Sequence, residues 1–260
     1  MSFCKNFIKL ITFTHILILV ILILPLSAFA KNQKIQSFSK SKKILSKIHQ
    51  FQPKTFYCNC SYKGKIPDLT SCGYAPYKNI SRANKIEWEH VLPASRFGKI
   101  FNTWKKGHPK CKKSNGKSYK GRKCAEKIHK KFRLMHADLY NLQPTIGEVN
   151  EMRSNYKMSM IKGEDRKFGK CDIEIKNKMI EPAPKIRGNI ARTYFYMQTT
   201  YPDYINLTHH EIVLFQKWDS SDPVDNWECK RAKQIRKIQG NQNNILYKKC
   251  VLKGKKDLED

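Results

Sequence analysis

At 260 residues the chain is long enough for one large domain or two small ones, and its 40% apolar and 11% aromatic content excludes a disordered basic tail. Its 51 Lys and Arg against 21 Asp and Glu leave a formal net charge of +30, more than solubility requires. The imbalance points to a polyanionic partner: nucleic acid, an anionic membrane surface or an acidic polysaccharide.

The first thirty residues have the layout of a targeting segment. Lys5 and Lys9 form a short positive region, Leu10 to Leu26 is almost wholly apolar, and Ala28-Phe29-Ala30 matches a small-x-small cleavage site. The expectation is a secretory signal peptide, residues 1–30, cut after Ala30; an uncleaved membrane anchor is the alternative. Cleavage removes two lysines and no acid, so the mature charge is 30 − 2 = +28. Of nine cysteines, Cys4 leaves with this segment, and eight remain: Cys58, Cys60, Cys72, Cys111, Cys124, Cys171, Cys229 and Cys250. An even number in an exported chain suggests up to four disulfides, with Cys111–Cys124 and Cys229–Cys250 favoured as local pairs. A zinc site is the rival, weakened by the lack of any C-x-x-C pair.

Residues 31–50 carry six lysines and no acid, and read as a basic arm or short amphipathic helix within an N-terminal extension, 31–55. Residues 56–82, rich in Tyr, Cys, Gly and Pro, read as a loop-heavy, disulfide-tied stretch. Lys85 to Leu92 resembles a short strand ended by Pro93. Lys99 to Arg133 holds 14 Lys or Arg and one acid, with turn-like segments at 114–118 and 120–122. Leu139 to Leu142 reads as a second short strand, stopped before Pro144. Thr145-Ile146-Gly147-Glu148 has the form of a capping box that starts a helix running to about Met160. Asn150, Arg153 and Ser154 then share one helix face. Residues 187–200, 208–218 and 223–239 look helical, the last with Asp222 and Pro223 as N-cap and first residue.

Two clusters carry chemistry. Glu87-Trp88-Glu89-His90 sets carboxylates beside an imidazole, and Asn150 offers a neutral oxygen from the later helix; such groups hold a hard divalent cation next to a general base. The bland alternatives are a surface acid and structural histidine on a strand edge, and a solvated helix amide. Neighbours on a regular strand point to opposite faces, so Glu89 and His90 can share a site only at a strand end or an irregularity. Arg122 is either a phosphate clamp or one more solvated cation. His136, His209 and His210 read as structural.

Residues 87–94, EWEHVLPA, followed by 138–150, DLYNLQPTIGEVN, and then Arg153-Ser154-Asn155, resemble bacterial endonuclease I. The likeness spans roughly residues 56 to 250. It implies an α+β fold: a ββα-metal (His-Me finger) nuclease core embedded in a mainly helical, disulfide-linked single domain, residues 56–260. It further implies His90 as the general base, Glu89 and Asn150 as ligands of one Mg²⁺, and Arg122 near the scissile phosphate. Mn²⁺ or Ca²⁺ are other cations for that site. Tyr140 stands where the family usually has histidine, and His136 where an acid is usual. The expected function is an exported, sugar-non-specific endonuclease that leaves 5′-phosphates on DNA and RNA. It would act as a monomer, bind single and double strands through phosphates, and have no membrane contact after signal cleavage. The runner-up is an exported basic DNA-binding or uptake protein with a degenerate nuclease core; a third reading is a cationic protein acting on membranes or anionic glycans.

Overall fold

The computed structural model describes residues 31–163 and 165–256, so the expected signal peptide lies outside them. Helix α1, Phe38–Ile48, begins where the Ser37 hydroxyl accepts from the Lys40 amide. Its apolar face is real: Ser41, Leu45 and Ile48 are buried, while Lys40, Lys43 and Lys47 stay in solvent. The Ser41 hydroxyl donates to the Ala137 carbonyl at 2.7 Å, and Asn32 Nδ2 donates to that of Leu134 at 2.8 Å, so residues 32–48 are fastened to the body of the protein.

A hairpin of β1, Tyr62–Lys63, and β2, Ile66–Pro67, leads to the one-turn α2, Ile80–Ala83, and then to β3, Ile86–His90. The basic stretch folds as short helices: α3, Ala94–Gly98; α4, Asn102–Lys105; α5, Arg122–Ile128; and α6, Lys130–His136. Between α4 and α5 the expected turn is present, with the Gly116 amide donating to the Lys113 carbonyl. Next come β4, Leu142–Ile146, and α7, Gly147–Arg153. A small three-stranded sheet holds β5, Lys157–Met158, parallel to the central β7, Met179–Pro182, which pairs antiparallel with β6, Ile173–Lys176. Four longer helices finish the described chain: α8, Arg187–Thr200; α9, His209–Ser221; α10, Asn226–Gln239; and α11, Asn244–Lys256. The architecture is α+β, with the core filled by side chains such as Phe97, Phe132, Ile146, Val149 and Phe215 from both parts.

All eight cysteines expected in the mature chain are paired: Cys58–Cys171, Cys60–Cys72, Cys111–Cys124 and Cys229–Cys250. The two local pairs match the sequence expectation, and no thiolate is left for zinc. Cys58 and Cys60 flank Asn59, which turns to φ +58°, and they pair with different partners.

Four expectations need correction. The second strand is not 139–142: those residues start as a 3₁₀ turn, Leu139–Asn141, and β4 runs straight through Pro144. The Pro144 carbonyl accepts from the Phe56 amide, on the side away from β3. The proline nitrogen faces that same outer side, so no ladder bond is lost. The capping box does not form either. Thr145 and Ile146 stay in the ladder opposite Glu87 and Ile86, and Ile146 is the N-cap without a side-chain bond. The Glu148 carboxylate is taken by the amides of Tyr77, Lys78 and Asn79 and by the Tyr74 hydroxyl at 2.7 Å. The helix stops at Arg153 rather than near Met160, because Ser154 turns to φ +52° and Lys157–Met158 joins the sheet. Finally, Asp225, not Asp222, caps α10, in a capping box with Glu228. Asp222 faces backward and accepts from the Gly188 amide at 2.8 Å.

The other capping box, Thr208 with Glu211 at the start of α9, also anchors a distant element: Glu211 takes the guanidinium of Arg96 at 2.6 Å. Burial opposes ionisation of Glu211, but Arg96 and the Thr208 amide outweigh it and hold the carboxyl below its usual range. A carboxyl depressed on folding stabilises the native state above its unfolded pKa, and that contribution fades as pH falls through the folded value. Glu211→Gln should therefore cost about 1–2 kcal/mol at neutral pH. In urea titrations the gap from the parent protein should close as pH is lowered below the ordinary glutamate range.

Candidate active site

β3 pairs antiparallel with β4 in the register Ile86–Ile146, Glu87–Thr145, Trp88–Pro144, Glu89–Gln143 and His90–Leu142. Beyond His90 the ladder is closed off by one side chain. The Val91 amide donates to the Asn141 carbonyl at 3.0 Å, the Leu92 amide to Asn141 Oδ1 at 2.8 Å, and Asn141 Nδ2 returns to the Leu92 carbonyl at 2.9 Å. His90 is thus the last residue of its strand. The geometric condition for Glu89 and His90 to share a site is met at that end.

A cleft of about 1230 Å³ opens there, and Glu89, His90, Arg122 and Asn150 all border it. Each comes from a different support. Glu89 points toward α7 and is 3% exposed; its Oε1 lies 3.0 Å from Arg153 Nε and 3.5 Å from the Tyr57 hydroxyl. Burial pushes the Glu89 carboxyl up to about 7, with Arg153 acting in the opposite direction. His90 points toward α6, with its Nε2 2.9 Å from the His136 carbonyl oxygen. A carbonyl only accepts, so Nε2 carries the proton and Nδ1 keeps the lone pair. Burial holds the imidazole down to about 3, which leaves it neutral at physiological pH with its Nδ1 lone pair unprotonated.

Asn150 lies on α7, one helical turn before Arg153, and its Nδ2 donates to Glu87 Oε2 at 2.8 Å. The amide oxygen is thereby turned away from Glu87. Arg122 opens α5 behind Gly121, whose φ of +79° suits glycine, and the Cys111–Cys124 disulfide ties this helix to the basic loop. Arg122 is solvent-exposed, and its charge helps to depress both His90 and His136.

Three residues of this site were given no role by sequence reasoning. Arg153 is buried, pairs with Glu89, and also donates to the carbonyls of His90 and Val91. Its position three residues after Asn150 was the available signal. Glu87, two residues before Glu89 on the same strand face, was another. His136 is more than structural filler: its ring stacks on His90 with centroids 4.6 Å apart, and its carbonyl fixes the His90 tautomer. Phe38 of α1 covers the same pair, 4.9 Å from His90 and 5.0 Å from His136. His209 and His210 sit exposed at the start of α9, as expected of residues without a site role.

The donor set fits a hard cation. One buried carboxylate and one oriented amide oxygen suit an ion that keeps most of its waters. Among the described residues no group of three or more His, Cys, Asp or Glu comes together as a metal cluster.

Residues 25–248 match the model of the family described as Endonuclease I. The chain is 43% identical over 232 residues to "Endonuclease-1" of Buchnera aphidicola subsp. Acyrthosiphon pisum (strain APS), covering 87% of this chain and 86% of that one. It is 40% identical over 238 residues to an "Extracellular deoxyribonuclease" of Aeromonas hydrophila, covering 88% and 96%. It is 42% identical over 226 residues to a "Periplasmic deoxyribonuclease" of the same species, covering 84% and 88%.

Removing one partner of a buried ion pair strands the other charge. Arg153→Met should destabilise the protein by about 3–5 kcal/mol in chemical denaturation. Adding Glu89→Gln to that variant should recover part of the loss. A double variant no more stable than Arg153→Met would show that lost packing, not the stranded carboxylate, dominates.

Proposed function

The chain belongs to the endonuclease I family and is a nuclease; from that membership and the cleft we propose an exported, sugar-non-specific endonuclease with a ββα-metal core. The observation that carries this reading is His90, locked with Nδ1 as its lone-pair nitrogen, beside Glu89 at the end of one strand, with Asn150 of α7 on the same cleft. β3, β4 and α7 supply the two strands and helix of the proposed core.

Export rests on the leader-like residues 1–30, on four disulfides and on relatives named extracellular and periplasmic deoxyribonuclease. Among the described residues no helix is long and apolar enough to cross a membrane. The proposed substrate is DNA, with RNA also accepted. Lys42 and Lys43 of α1, Lys63 and Lys65 of the hairpin, Lys85 and Arg122 border the cleft. These cations contact phosphates rather than base edges, which gives binding without sequence preference and with strong salt dependence.

In the proposed reaction His90 Nδ1 takes the proton of the attacking water, while Nε2 stays bonded to the His136 carbonyl. The fixed tautomer, with Nδ1 as the lone-pair nitrogen, suits that role. Arg122, free at the rim, pairs with the non-bridging oxygens of the scissile phosphate as negative charge builds there. Glu89 and Asn150 would hold the divalent cation, Mg²⁺ in this reading with Mn²⁺ or Ca²⁺ as substitutes, which supplies charge neutralisation at the phosphate and the departing 3′-oxygen. Departure of that oxygen leaves a 5′-phosphate on the product. Each chain carries its own complete set of these groups, so the proposed working form is a monomer.

The mature protein should nick and then degrade plasmid DNA with Mg²⁺, and EDTA should stop it. His90→Ala should lower cleavage by at least about a hundredfold while gel-shift affinity for DNA is kept. Full cleavage by His90→Ala would sink the mechanism, and DNA binding without cleavage by the parent protein would favour a binding protein instead. Arg122→Ala should slow turnover with a smaller effect on affinity, measured at fixed salt.

A further inference from the structure

Glu87 and Glu89 lie two residues apart on β3 and so face the same way. Asn150 and Arg153 lie three apart on α7 and share a face. The strand and helix therefore meet in two rungs: Glu89 against Arg153, and Glu87 against Asn150. In the first rung the candidate ligand is the carboxylate; in the second it is the amide.

An amide offers two chemically opposite ends, and a ligand must present its oxygen. Asn150 Nδ2 donates to Glu87 Oε2 at 2.8 Å, which sends Oδ1 the other way. We propose that Glu87 is a positioning residue that sets the sense of the Asn150 amide and aims Oδ1 at the cation site. The proposal rests on the reading of Asn150 as a ligand.

Glu87 is itself held firmly. Arg82 donates from Nε to its Oε1 at 3.1 Å and pairs through Nη2 with Oε2. Arg82 in turn is held through Nη1 by Glu151 Oε1 at 3.0 Å. Space has been kept for this arrangement at Gly147. A Cβ there would stand 2.9 Å from Glu87 Oε1 and 2.7 Å from the Arg82 carbonyl oxygen. The φ of Gly147 is not positive, so backbone freedom does not call for glycine at that position. Clearance for the Glu87 carboxylate and the Arg82 backbone does. An ordinary surface ion pair between Arg82 and Glu87 would need neither the bond to Asn150 nor that clearance.

The test pairs Glu87→Gln, which removes one negative charge, with a second substitution, Asn150→Asp, that restores the charge and inverts the hydrogen bond at nearly constant shape. In Glu87→Gln the new side chain can offer either an N–H or an oxygen, so the Asn150 amide loses its fixed sense. Because Arg82 donates to both Glu87 oxygens, both variants are made in an Arg82→Met background, which then serves as their parent; in Glu87→Gln with Asn150→Asp the new amide then donates to the new carboxylate, whose second oxygen is free for the cation. Mn²⁺ binding to the mature protein would be measured by calorimetry, with melting curves of the metal-free variants as a control on folding. Glu87→Gln should weaken Mn²⁺ binding by about 10-fold or more. The double variant should return to within about threefold of the parent, since the donor–acceptor match is restored. Parent-like Mn²⁺ affinity in Glu87→Gln overturns the proposal, as does a double variant that binds no tighter than Glu87→Gln alone. Asn150→Ala separates the premise: loss of Mn²⁺ binding upholds Asn150 as ligand, and parent-like binding removes that reading and the proposal with it.

Discussion

The Arg153 guanidinium is the tie on which the candidate site depends. It is buried, pairs with Glu89, and donates to the carbonyls of His90 and Val91 just where β3 ends. A planar fork with five donors can serve a carboxylate and two carbonyls at once, which a lysine cannot. The pair gains little net stability, because removing both charges from water costs about as much as their attraction returns. Its effect is positional. It joins the last turn of α7 to the strand terminus, so that the residue four places after the helix N-cap, Asn150, borders the same cleft as Glu89 and His90.

The two faces of β3 then divide the chemistry. One face meets α7 and carries the oxygen donors; the other meets α6 and carries the imidazole. This separation puts the imidazole and the Glu89 carboxylate on opposite faces of the strand while both border one cleft. It also explains the neutrality of His90. The ring is walled in by His136 and Phe38, and burial, with the charges of Arg122 and Arg153, outweighs the pull of the His136 carbonyl toward the protonated form. The basic residues of α1, the hairpin and α5 stand around this centre and supply attraction for a polyanion from outside.

The remaining structure holds these pieces at their angles. Glu148 collects the amides of residues 77–79, which anchors the disulfide-tied loop region to α7 next to Asn150. Asp138, buried beneath the 3₁₀ turn, accepts from the hydroxyls of Tyr196 and Tyr201 and from Gln239, linking the start of β4 to the helical layer. Tyr140 belongs to this support: its hydroxyl donates toward the Ala232 and Asn241 carbonyls.

Much of this was legible in the sequence because it depends on local chemistry. The strand expected over 85–92 and observed as Ile86–His90, the helix 187–200, the turns of the basic loop and the two short-range disulfides follow from residue patterns within twenty or so positions. The four candidate site residues were legible by motif, and the structure brings them to one cleft. What the chain could not show locally was competition from a distance. Glu148 would cap its own helix in isolation, but three amides seventy residues away hold it better. Pro144 would stop a strand with two neighbours, but β4 has a ladder on one side only. Asp222 precedes a proline in the pattern of a helix start, yet the approach of α8 gives it a nearer donor. Composition, export signals and motif identity were decided by the sequence itself. The tautomer of His90, the partner of Glu89 and the work of Glu87 were decided by tertiary structure, because each depends on a group that only folding brings within hydrogen-bond range.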